Sequence, residues 1–388
     1  MILTQCPVCA AELPPLSAKQ CSRCKTRYCG ADCQKQHWEE GGHDKLCKLI
    51  KRGGGAEQYH ADTRYTAAVF VAAAVCAEDT KGQTCYICTQ ALHWKTKEGL
   101  VRGCSCRGTA GFAHVSCLTE EAKILVAEAE ENNKPKDPVW ARWHTCSLCE
   151  QEYHGVVRCA LGWACWKTYV GRPEADWARS VAINVLGNGL DAADHHEDTL
   201  SVREAELSMW RRAGASEDQL LVVQGNLACS YTNLGRNEEA VRVRLDVYSR
   251  RLRLNGGEDK ATLSAAYNYA NSLIGLKRFK EVKSLTRKTM PVARRVLGEG
   301  HDLTLMMTLL YANALYHDEG ATLDDLREAV ATLEDAAGIA RRVLGGAHPL
   351  TVDIEDPLRV ARATLRARET ADENSLRDAM EAMAPGDA

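Results

Sequence analysis

Fourteen of the eighteen cysteines have the spacing of metal ligands, and all fourteen lie before residue 150. Together with two histidines they form two consecutive sets of eight. The first set is Cys6, Cys9, Cys21, Cys24, Cys29, Cys33, His43 and Cys47. The second set is Cys85, Cys88, Cys104, Cys106, His114, Cys117, Cys146 and Cys149. Structural zinc takes four sulfur or nitrogen donors in a closed tetrahedron, so two sets of eight predict four Zn²⁺ ions per chain.

The same cysteines could instead form disulfides. Disulfide scaffolds are usually short secreted chains, whereas paired Cys-x2-Cys units with histidines at ligand positions are typical of metal sites. We therefore expect zinc and a reducing compartment, cytoplasmic or nuclear. No leader peptide is apparent after Met1, and the longest apolar run, Thr66 to Ala77, is too short to cross a bilayer. These features predict a soluble protein.

The overall charge is close to balanced. The chain has 49 basic and 52 acidic residues, for a formal net charge of −3. No long-range field therefore attracts it to nucleic acid or to an anionic membrane. We expect protein or peptide partners, and neither nucleic acid nor membrane.

The first set of ligands lies in a recognisable string. Tyr28-Cys29-Gly-Ala-Asp-Cys33-Gln34, followed by Trp38, resembles the MYND zinc finger. The resemblance implies interleaved ligation, with one zinc ion held by Cys6, Cys9, Cys29 and Cys33 and the other by Cys21, Cys24, His43 and Cys47. The family usually has two residues between the tryptophan and the ligand histidine, but this chain has four. His37 is therefore an alternative ligand to His43.

MYND fingers generally bind short proline-containing peptides, and the resemblance places that contact at Gln34 and Trp38. Trp38 has an alternative role, since a domain this small needs every apolar residue in its core. It could simply cover the zinc ions.

The order of the second set fits both PHD and RING-CH fingers, and the spacing favours RING-CH. Cys104 and Cys106 are separated by one residue, seven residues precede His114, and Trp143 lies three residues before Cys146. The segment from Cys106 to Leu118 also resembles the RING-CH pattern. This resemblance implies cross-braced ligation, with one zinc ion held by Cys85, Cys88, His114 and Cys117 and the other by Cys104, Cys106, Cys146 and Cys149.

Many RING-CH proteins are ubiquitin-protein ligases that position a ubiquitin-charged conjugating enzyme, so no catalytic residue is expected in the finger itself. Ile87 matches the family's apolar contact to that enzyme, and Leu148 matches a second. Ile87 could equally belong to the core of the finger. The chain departs from the family at Glu121, where a tryptophan is often found.

The remainder of the chain repeats itself. Tyr269-Ala270-Asn271-Ser272-Leu273 returns 42 residues later as Tyr311-Ala312-Asn313-Ala314-Leu315. Self-similarity at this period predicts an α-solenoid of stacked helical hairpins. The linker from Gly298 to Leu305 resembles that of the kinesin light chain family of tetratricopeptide repeats, which implies four repeats and a terminal capping helix. The small residues Gly187, Ala228, Ala270 and Ala312 are predicted where helix backbones approach closely.

Four cysteines remain outside these motifs. Cys76 and Cys229 are expected to be buried and inert. Cys159 and Cys165 could form a fifth metal site with His154, although Trp163, Trp166 and Tyr169 more simply predict packing between the second finger and the first repeat.

The predicted fold class is mainly α, with two small cross-braced zinc fingers followed by an α-solenoid. The predicted segments are 1–50 (MYND-like finger), 51–84 (linker helix), 85–155 (RING-CH-like finger), 156–174 (connector), 175–369 (tetratricopeptide-like repeats) and 370–388 (flexible tail). The expected function is a zinc-binding protein-interaction adaptor acting as a RING-CH-type E3 ubiquitin-protein ligase, with substrate recruited by the repeats. The alternative is a non-enzymatic scaffold that binds peptides. In either case, zinc removal is expected to unfold residues 1–155 and leave most repeat helicity intact.

Overall fold

The computed structural model describes residues 6–9, 11, 13, 18–135 and 137–383, with the backbone alone at Asp137 and in 376–383. Strands β1 (Lys19–Gln20) and β2 (Arg27–Tyr28) pair antiparallel, with Lys19 opposite Tyr28. A 3₁₀ turn spans Ala141–Trp143. The helices are α1 (Ala31–Glu39), α2 (His43–Arg52), α3 (Ala56–Val75), α4 (Val115–Glu131), α5 (Asp137–Trp140), α6 (Gly155–Tyr169), α7 (Trp177–Asp191), α8 (His196–Arg212), α9 (Glu217–Asn233), α10 (Asn237–Asn255), α11 (Lys260–Gly275), α12 (Phe279–Leu297), α13 (Asp302–Tyr316), α14 (Leu323–Val343) and α15 (Pro349–Met383).

The chain divides into two compact units, Met1–Leu234 and Gly235–Ala388. The first unit contains both sets of metal ligands and helices α1–α9. The second unit contains α10–α15. No helix in the described part of the chain is long and apolar enough to cross a membrane.

One continuous core runs through most of the first unit. It joins α3, the second set of metal ligands, α4, α6, α7 and the inward face of α8. Trp143 is fully buried at its centre, with its ring 6.4 Å from that of Trp140 and 5.8 Å from that of Tyr169. Trp163 and Trp166 are also buried in this core. The second finger and the first repeat helices therefore share their hydrophobic interior.

Glycines allow α6 and α7 to lie almost in backbone contact. A Cβ atom on Gly189 would lie 2.8 Å from the carbonyl oxygen of Arg158, and one on Gly162 would lie 3.2 Å from Cα of Leu186. The contact at Gly189 is too short for any larger residue, and the one at Gly162 is tight enough that alanine there would push the helices apart by a few tenths of an ångström.

Gly187 has a different role from the one its position in the repeat predicts. A Cβ atom there would lie 2.6 Å from Cζ of Arg203, so the missing side chain makes room for a guanidinium group and not for a second backbone. The equivalent Ala228, Ala270 and Ala312 are completely buried, as expected for tightly packed helices.

In the second unit each helix packs on the next along the chain, from α10 to α15. The repeated linker explains where these helices begin and end. Gly298 has φ of +94° and Gly345 has φ of +91°, conformations that end α12 and follow α14. His301 Nδ1 then accepts a hydrogen bond from the Leu303 N–H at 3.1 Å and so caps α13. His348 Nδ1 accepts in the same way from the N–H of Leu350, at 3.2 Å near the start of α15.

The described part of the chain is mainly α, as predicted, and its helical hairpins follow the predicted repeats. Helix α15 continues past residue 369 as far as Met383, into the range predicted to be a flexible tail. Residues 384–388 lie outside the described residues, and the domain boundaries remain predictions.

Candidate zinc centres

The Cys-x2-Cys units fold into tight turns that aim both thiols to one side. In three of them the residue after the second cysteine has a left-handed backbone, with φ of 66° at Lys25, 61° at Thr89 and 56° at Glu150. The N–H of that residue donates to the carbonyl of the first cysteine, as at Thr89 and Cys85, where the distance is 2.8 Å. The backbone turn therefore places both sulfur atoms of each pair on one side, where they can share a metal ion.

In the first finger the structure brings together the two predicted sets of four. Cys29 precedes α1 and Cys33 lies in its first turn, and their Sγ atoms are 3.5 Å apart. Cys9 Sγ lies 3.5 Å from Cys29 Sγ. Helix α2 supplies His43 and Cys47, and Cys47 Sγ lies 3.8 Å from Cys21 Sγ.

The histidine of this second group is His43. Its Nε2 lies 3.4 Å from Cys24 Sγ, and its side chain is almost completely buried. His37 instead hydrogen-bonds to the hydroxyl of buried Tyr28, at 3.0 Å through Nδ1. Gly42, with φ of +71°, begins α2 and accommodates the longer loop between Trp38 and His43.

Replacing His43 therefore tests this geometry directly. We expect His43→Ala to lower the zinc content from four ions to three per chain, because the second site loses a donor. His37→Ala is the matched control and should retain all four. Elemental analysis of the purified variants measures both. The opposite pattern, with zinc lost only in His37→Ala, would show that His37 is the ligand.

The second finger is assembled in the same cross-braced manner. His114 Nδ1 lies 3.3 Å from Cys88 Sγ and 3.7 Å from Cys117 Sγ, while Cys106 Sγ lies 3.8 Å from Cys146 Sγ. His114 and Cys117 are positioned by the start of α4, and Cys146 by the turn after the 3₁₀ segment.

The donor atoms of each set fit a zinc ion. Those of each tetrad lie within 4.8 Å of one another, in the groups Cys6, Cys9, Cys29 and Cys33; Cys21, Cys24, His43 and Cys47; Cys85, Cys88, His114 and Cys117; and Cys104, Cys106, Cys146 and Cys149. Tetrahedral zinc with bonds of about 2.0–2.3 Å has sulfur–sulfur and sulfur–nitrogen edges of about 3.5–3.8 Å. The sulfur and nitrogen separations given above are close to that range. The four tetrads therefore fit the four predicted ions.

The surroundings of each tetrad favour at least one thiolate. Burial opposes ionisation of Cys6, but backbone N–H groups hydrogen-bonded to its sulfur outweigh that effect and lower its pKa to about 6. The same balance lowers the pKa of Cys21 and of Cys85. The N–H of Gln151 is the main cause that lowers the pKa of Cys149 to about 7. Zinc binds thiolate and not thiol, so each site has one sulfur that ionises readily. Burial and the neighbouring cysteines raise the pKa of others, such as Cys47 and Cys104, to about 11.

A backbone contact on the side of the ring away from the sulfur atoms orients His114. Its Nε2 lies 3.4 Å from the carbonyl oxygen of Ala91, so an N–H there can donate to that oxygen while Nδ1 faces the sulfur atoms. Such an outer hydrogen bond is the usual partner of a metal-bound histidine. Sequence reasoning did not find Ala91, because a backbone acceptor leaves no signature in residue type.

The residues predicted to contact partners lie at the surface. Ile87 is 40% exposed and Leu148 is 50% exposed, one on each of two Cys-x2-Cys turns. The neighbouring Tyr86 and Ser147 hydrogen-bond through their hydroxyls at 3.1 Å, so the two turns are held side by side. The carboxylate of Glu121 lies 3.5 Å from the same Tyr86 hydroxyl.

Gln34 and Trp38 lie four residues apart on α1 and so share one face of that helix. Gln34 is half-buried, whereas Trp38 is 42% exposed with its ring 5.8 Å from that of His43. Trp38 thus covers a predicted ligand with one side and presents the other to solvent. Binding of a peptide at these residues remains a prediction.

The remaining cysteines do not add a fifth group of metal ligands. Among the described residues, the four tetrads above are the groups of three or more donors close enough to share an ion. Cys159 and Cys165 are both buried on α6, and Cys76 is buried as expected. Cys229, predicted to be buried, is exposed because it lies on the outward face of α9. No disulfide joins the described cysteines.

The second unit also has a concave site. A pocket of about 420 Å³ lies between α12, α13 and α14. It is lined by Arg294 and Arg342 together with the carboxylates of Glu299, Glu334 and Asp335. Such a polar pocket suits a charged side chain or peptide better than an apolar ligand.

Comparison with known families agrees with the geometry. Residues 6–47 match the MYND finger. Residues 85–149 match the RING-variant domain. Both fingers predicted from the spacing are therefore confirmed. No curated protein matches the chain.

Similar solved structures include TPR-like repeat proteins. Kinesin light chain TPR-like repeats of Podosopora anserina are 18% identical, with a TM-score of 0.43 over 56% of this chain and 100% of that one. A variant of those repeats with one residue substituted is 19% identical, with a TM-score of 0.44 over 50% and 90% of the two chains. BtubC (BKLC) from P. vanneervenii is 15% identical, with a TM-score of 0.42 over 71% and 95%. Similarity at this level supports no inference about partners. The fingers and helical hairpins together make the protein a zinc-binding adaptor.

Proposed function

We propose that the protein is a RING-variant E3 ubiquitin-protein ligase whose helical repeats recruit the substrate. In this proposal the second finger binds a ubiquitin-charged conjugating enzyme. The observation that carries the proposal is the pair of exposed aliphatic side chains, Ile87 and Leu148, on adjacent turns of the finger.

The geometry around this pair suits a binding surface. Each turn is anchored by two zinc ligands, and the hydrogen bond between Tyr86 and Ser147 links the turns directly. The apolar side chains therefore stand on a rigid base, so that little conformational entropy is lost when a partner binds. Ile87 is excluded from the continuous core of the first unit, which weakens its alternative role as a core residue.

Such a finger contributes position and not a reacting group. It holds the thioester of the conjugating enzyme in a reactive orientation beside a substrate lysine, which lowers the entropic part of the barrier. Substrate recruitment falls to the repeats, which carry the charged pocket between α12, α13 and α14. The MYND finger, through Gln34 and Trp38, offers a second site for a proline-containing peptide.

An in vitro ubiquitylation assay with a panel of conjugating enzymes tests the proposal. We expect Ile87→Ala and Leu148→Ala each to slow chain formation about 30-fold, since a central interface residue contributes roughly 2 kcal/mol. Ile124→Ala is the matched control, because Ile124 is 49% exposed on α4 and lies outside both turns. All three variants should retain four zinc ions.

Two outcomes would refute the ligase. One is the absence of ubiquitin chains with every conjugating enzyme in the panel. The other is chain formation that Ile87→Ala and Ile124→Ala leave equally unchanged.

One observation favours the alternative of a non-enzymatic peptide-binding scaffold. Glu121, where the family often has tryptophan, places a carboxylate close to Tyr86 between the two turns. This charge makes the surface less apolar than that of a typical ligase. Binding of an uncharged conjugating enzyme separates the alternatives, because a scaffold binds none and a ligase binds at least one.

A further inference from the structure

The second half of helix α3 is apolar on both sides. Its inward face, which includes Tyr65, Val69 and Ala72, belongs to the core of the first unit. The exposed outer face of this half consists of Thr66, Ala67, Phe70, Val71, Ala74 and Val75. Phe70 is 75% exposed and Val75 is 66% exposed. A helical segment that is apolar on both faces is normally buried on both, so the outer face of this half of α3 is expected to be covered.

We propose that a second copy of this chain covers it, with the two α3 helices packed antiparallel about a two-fold axis. This inference is independent of the proposed ligase activity. It rests on the order of residues along the outer face and on the charges at its two ends.

The outer face is complementary to itself. A two-fold axis passing between residues 70 and 71 places Ala67 opposite the partner's Ala74 and Phe70 opposite the partner's Val71. Small residues then meet small ones, which lets the helix backbones approach, and the large side chains fill the centre. Contact of identical patches in this way is the isologous interface of cyclic dimers.

The charges at the two ends require the antiparallel arrangement. Arg64 lies two residues before the outer face, and Glu78 lies just after the end of α3. Within the described residues neither forms an ion pair. Arg64 and Glu78 lie seven residues before and seven residues after residue 71, which is next to the axis. The axis therefore places Arg64 of each copy near the partner's Glu78. Parallel helices would instead place like charges together.

The apolar surface extends beyond the helix itself. A pocket of about 200 Å³ beside Val71 is lined by Ala68 of α3 and by Val156 and Trp163 of α6. It widens the area that a second copy can bury.

Sedimentation of the zinc-loaded full chain tests the proposal. We expect a monomer–dimer equilibrium, with Val71→Glu raising the dissociation constant at least about 100-fold, because it buries an unpaired carboxylate in each half of the interface. Ile124→Glu is the matched control, since it adds the same charge at a similarly exposed position on α4. Circular dichroism and zinc content verify that each variant is folded.

A charge exchange tests the antiparallel arrangement. Arg64→Glu alone should weaken the dimer about tenfold, and Arg64→Glu combined with Glu78→Arg should restore it. Three results would overturn the proposal: a chain that stays monomeric at all concentrations, a dimer indifferent to Val71→Glu, or a double variant no better than Arg64→Glu. Binding of the monomer to vesicles or to a peptide through this face, without dimerisation, would also overturn it.

Discussion

Removal of zinc by a strong chelator is expected to unfold both fingers, together with α3, α6 and α7, and to leave α10–α15 folded. Structural zinc contributes about 10–16 kcal/mol in isolated fingers, which equals or exceeds the total stability of a typical domain. The first finger has little other interior, because it is built around its own cysteines. Loss of the metal therefore removes most of what stabilises that finger.

The extent of unfolding goes beyond the limit expected from the sequence alone. The sequence alone predicts that unfolding stops at residue 155, because the predicted zinc ligands end at Cys149. In the structure the second finger shares one core with α3, α6 and α7, so its loss exposes Trp163, Ile183 and Leu186. The helices of the second unit have cores of their own, as at Leu305 and Leu333.

Hydrogen exchange after chelation measures both parts of this prediction. Amide protection should disappear across 18–191 and persist across 260–343. Tryptophan fluorescence gives a simpler readout, because all eight tryptophans precede residue 234 and so report the first unit. Samples with the chelator saturated by zinc are the control. Persistent protection of α6 and α7 in the metal-free protein would show that the repeats fold independently of the finger.

The second large effect is expected from Arg203→Met. Arg203 and Glu206 are both almost completely buried on α8, with Nη1 donating to the carboxylate at 2.8 Å. Asn184 donates to the other carboxylate oxygen at 3.2 Å, and Asn188 accepts from Arg203. Removing one partner of a buried ion pair leaves a buried charge uncompensated, which costs about 3–5 kcal/mol.

The size of this effect is expected to depend on pH. Burial raises the pKa of Glu206, while Arg203 and Asn184 lower it in part. Without Arg203 the pKa rises further above its value in the unfolded chain. The folded state then binds more protons than the unfolded state, so its stability falls as the pH rises. The cost of Arg203→Met is therefore smaller near pH 6 than near pH 8.

Denaturant unfolding followed by tryptophan fluorescence at both pH values provides the measurement. Arg203→Met combined with Glu206→Gln is the matched variant, and it should recover most of the lost stability because it removes the unpaired charge. A cost below about 1 kcal/mol for Arg203→Met, or a cost that grows on acidification, would contradict this account.

The metal sites were predictable because their information is local. Cys-x2-Cys pairs and helical spacings such as Cys29 to Cys33 fix which donors can meet, and the four tetrads form as those spacings predict. The helical repeats were predictable for a similar reason, since recurrence at Tyr269 and Tyr311 marks equivalent positions in successive hairpins. The choice between His37 and His43 required the structure, because it depends on how Gly42 turns the chain.

Other features depend on contacts between distant segments. Gly187 has the small size expected of a repeat position, but only the position of Arg203 reveals what its missing side chain accommodates. In the sequence, Trp143 served only to identify the type of finger, from its distance to Cys146. Its burial in the shared core depends on ring contacts with Trp140 and with Tyr169 of α6. The outer face of α3 could not be distinguished in the sequence, because the alanine-rich run from Thr66 to Ala77 is apolar at nearly every position.

The close approach of α6 and α7 through Gly162 and Gly189 determines how the ligand-bearing finger is carried. Helix α6 begins only six residues after Cys149, the last zinc ligand. It packs closely against α7, the first helix of the α7–α8 hairpin. The second finger is thus joined rigidly to that hairpin through α6, and no flexible linker separates them. Whatever docks on Ile87 and Leu148 is presented at a set angle to anything held along α7 and α8, and grafting the finger elsewhere would need α6 to travel with it.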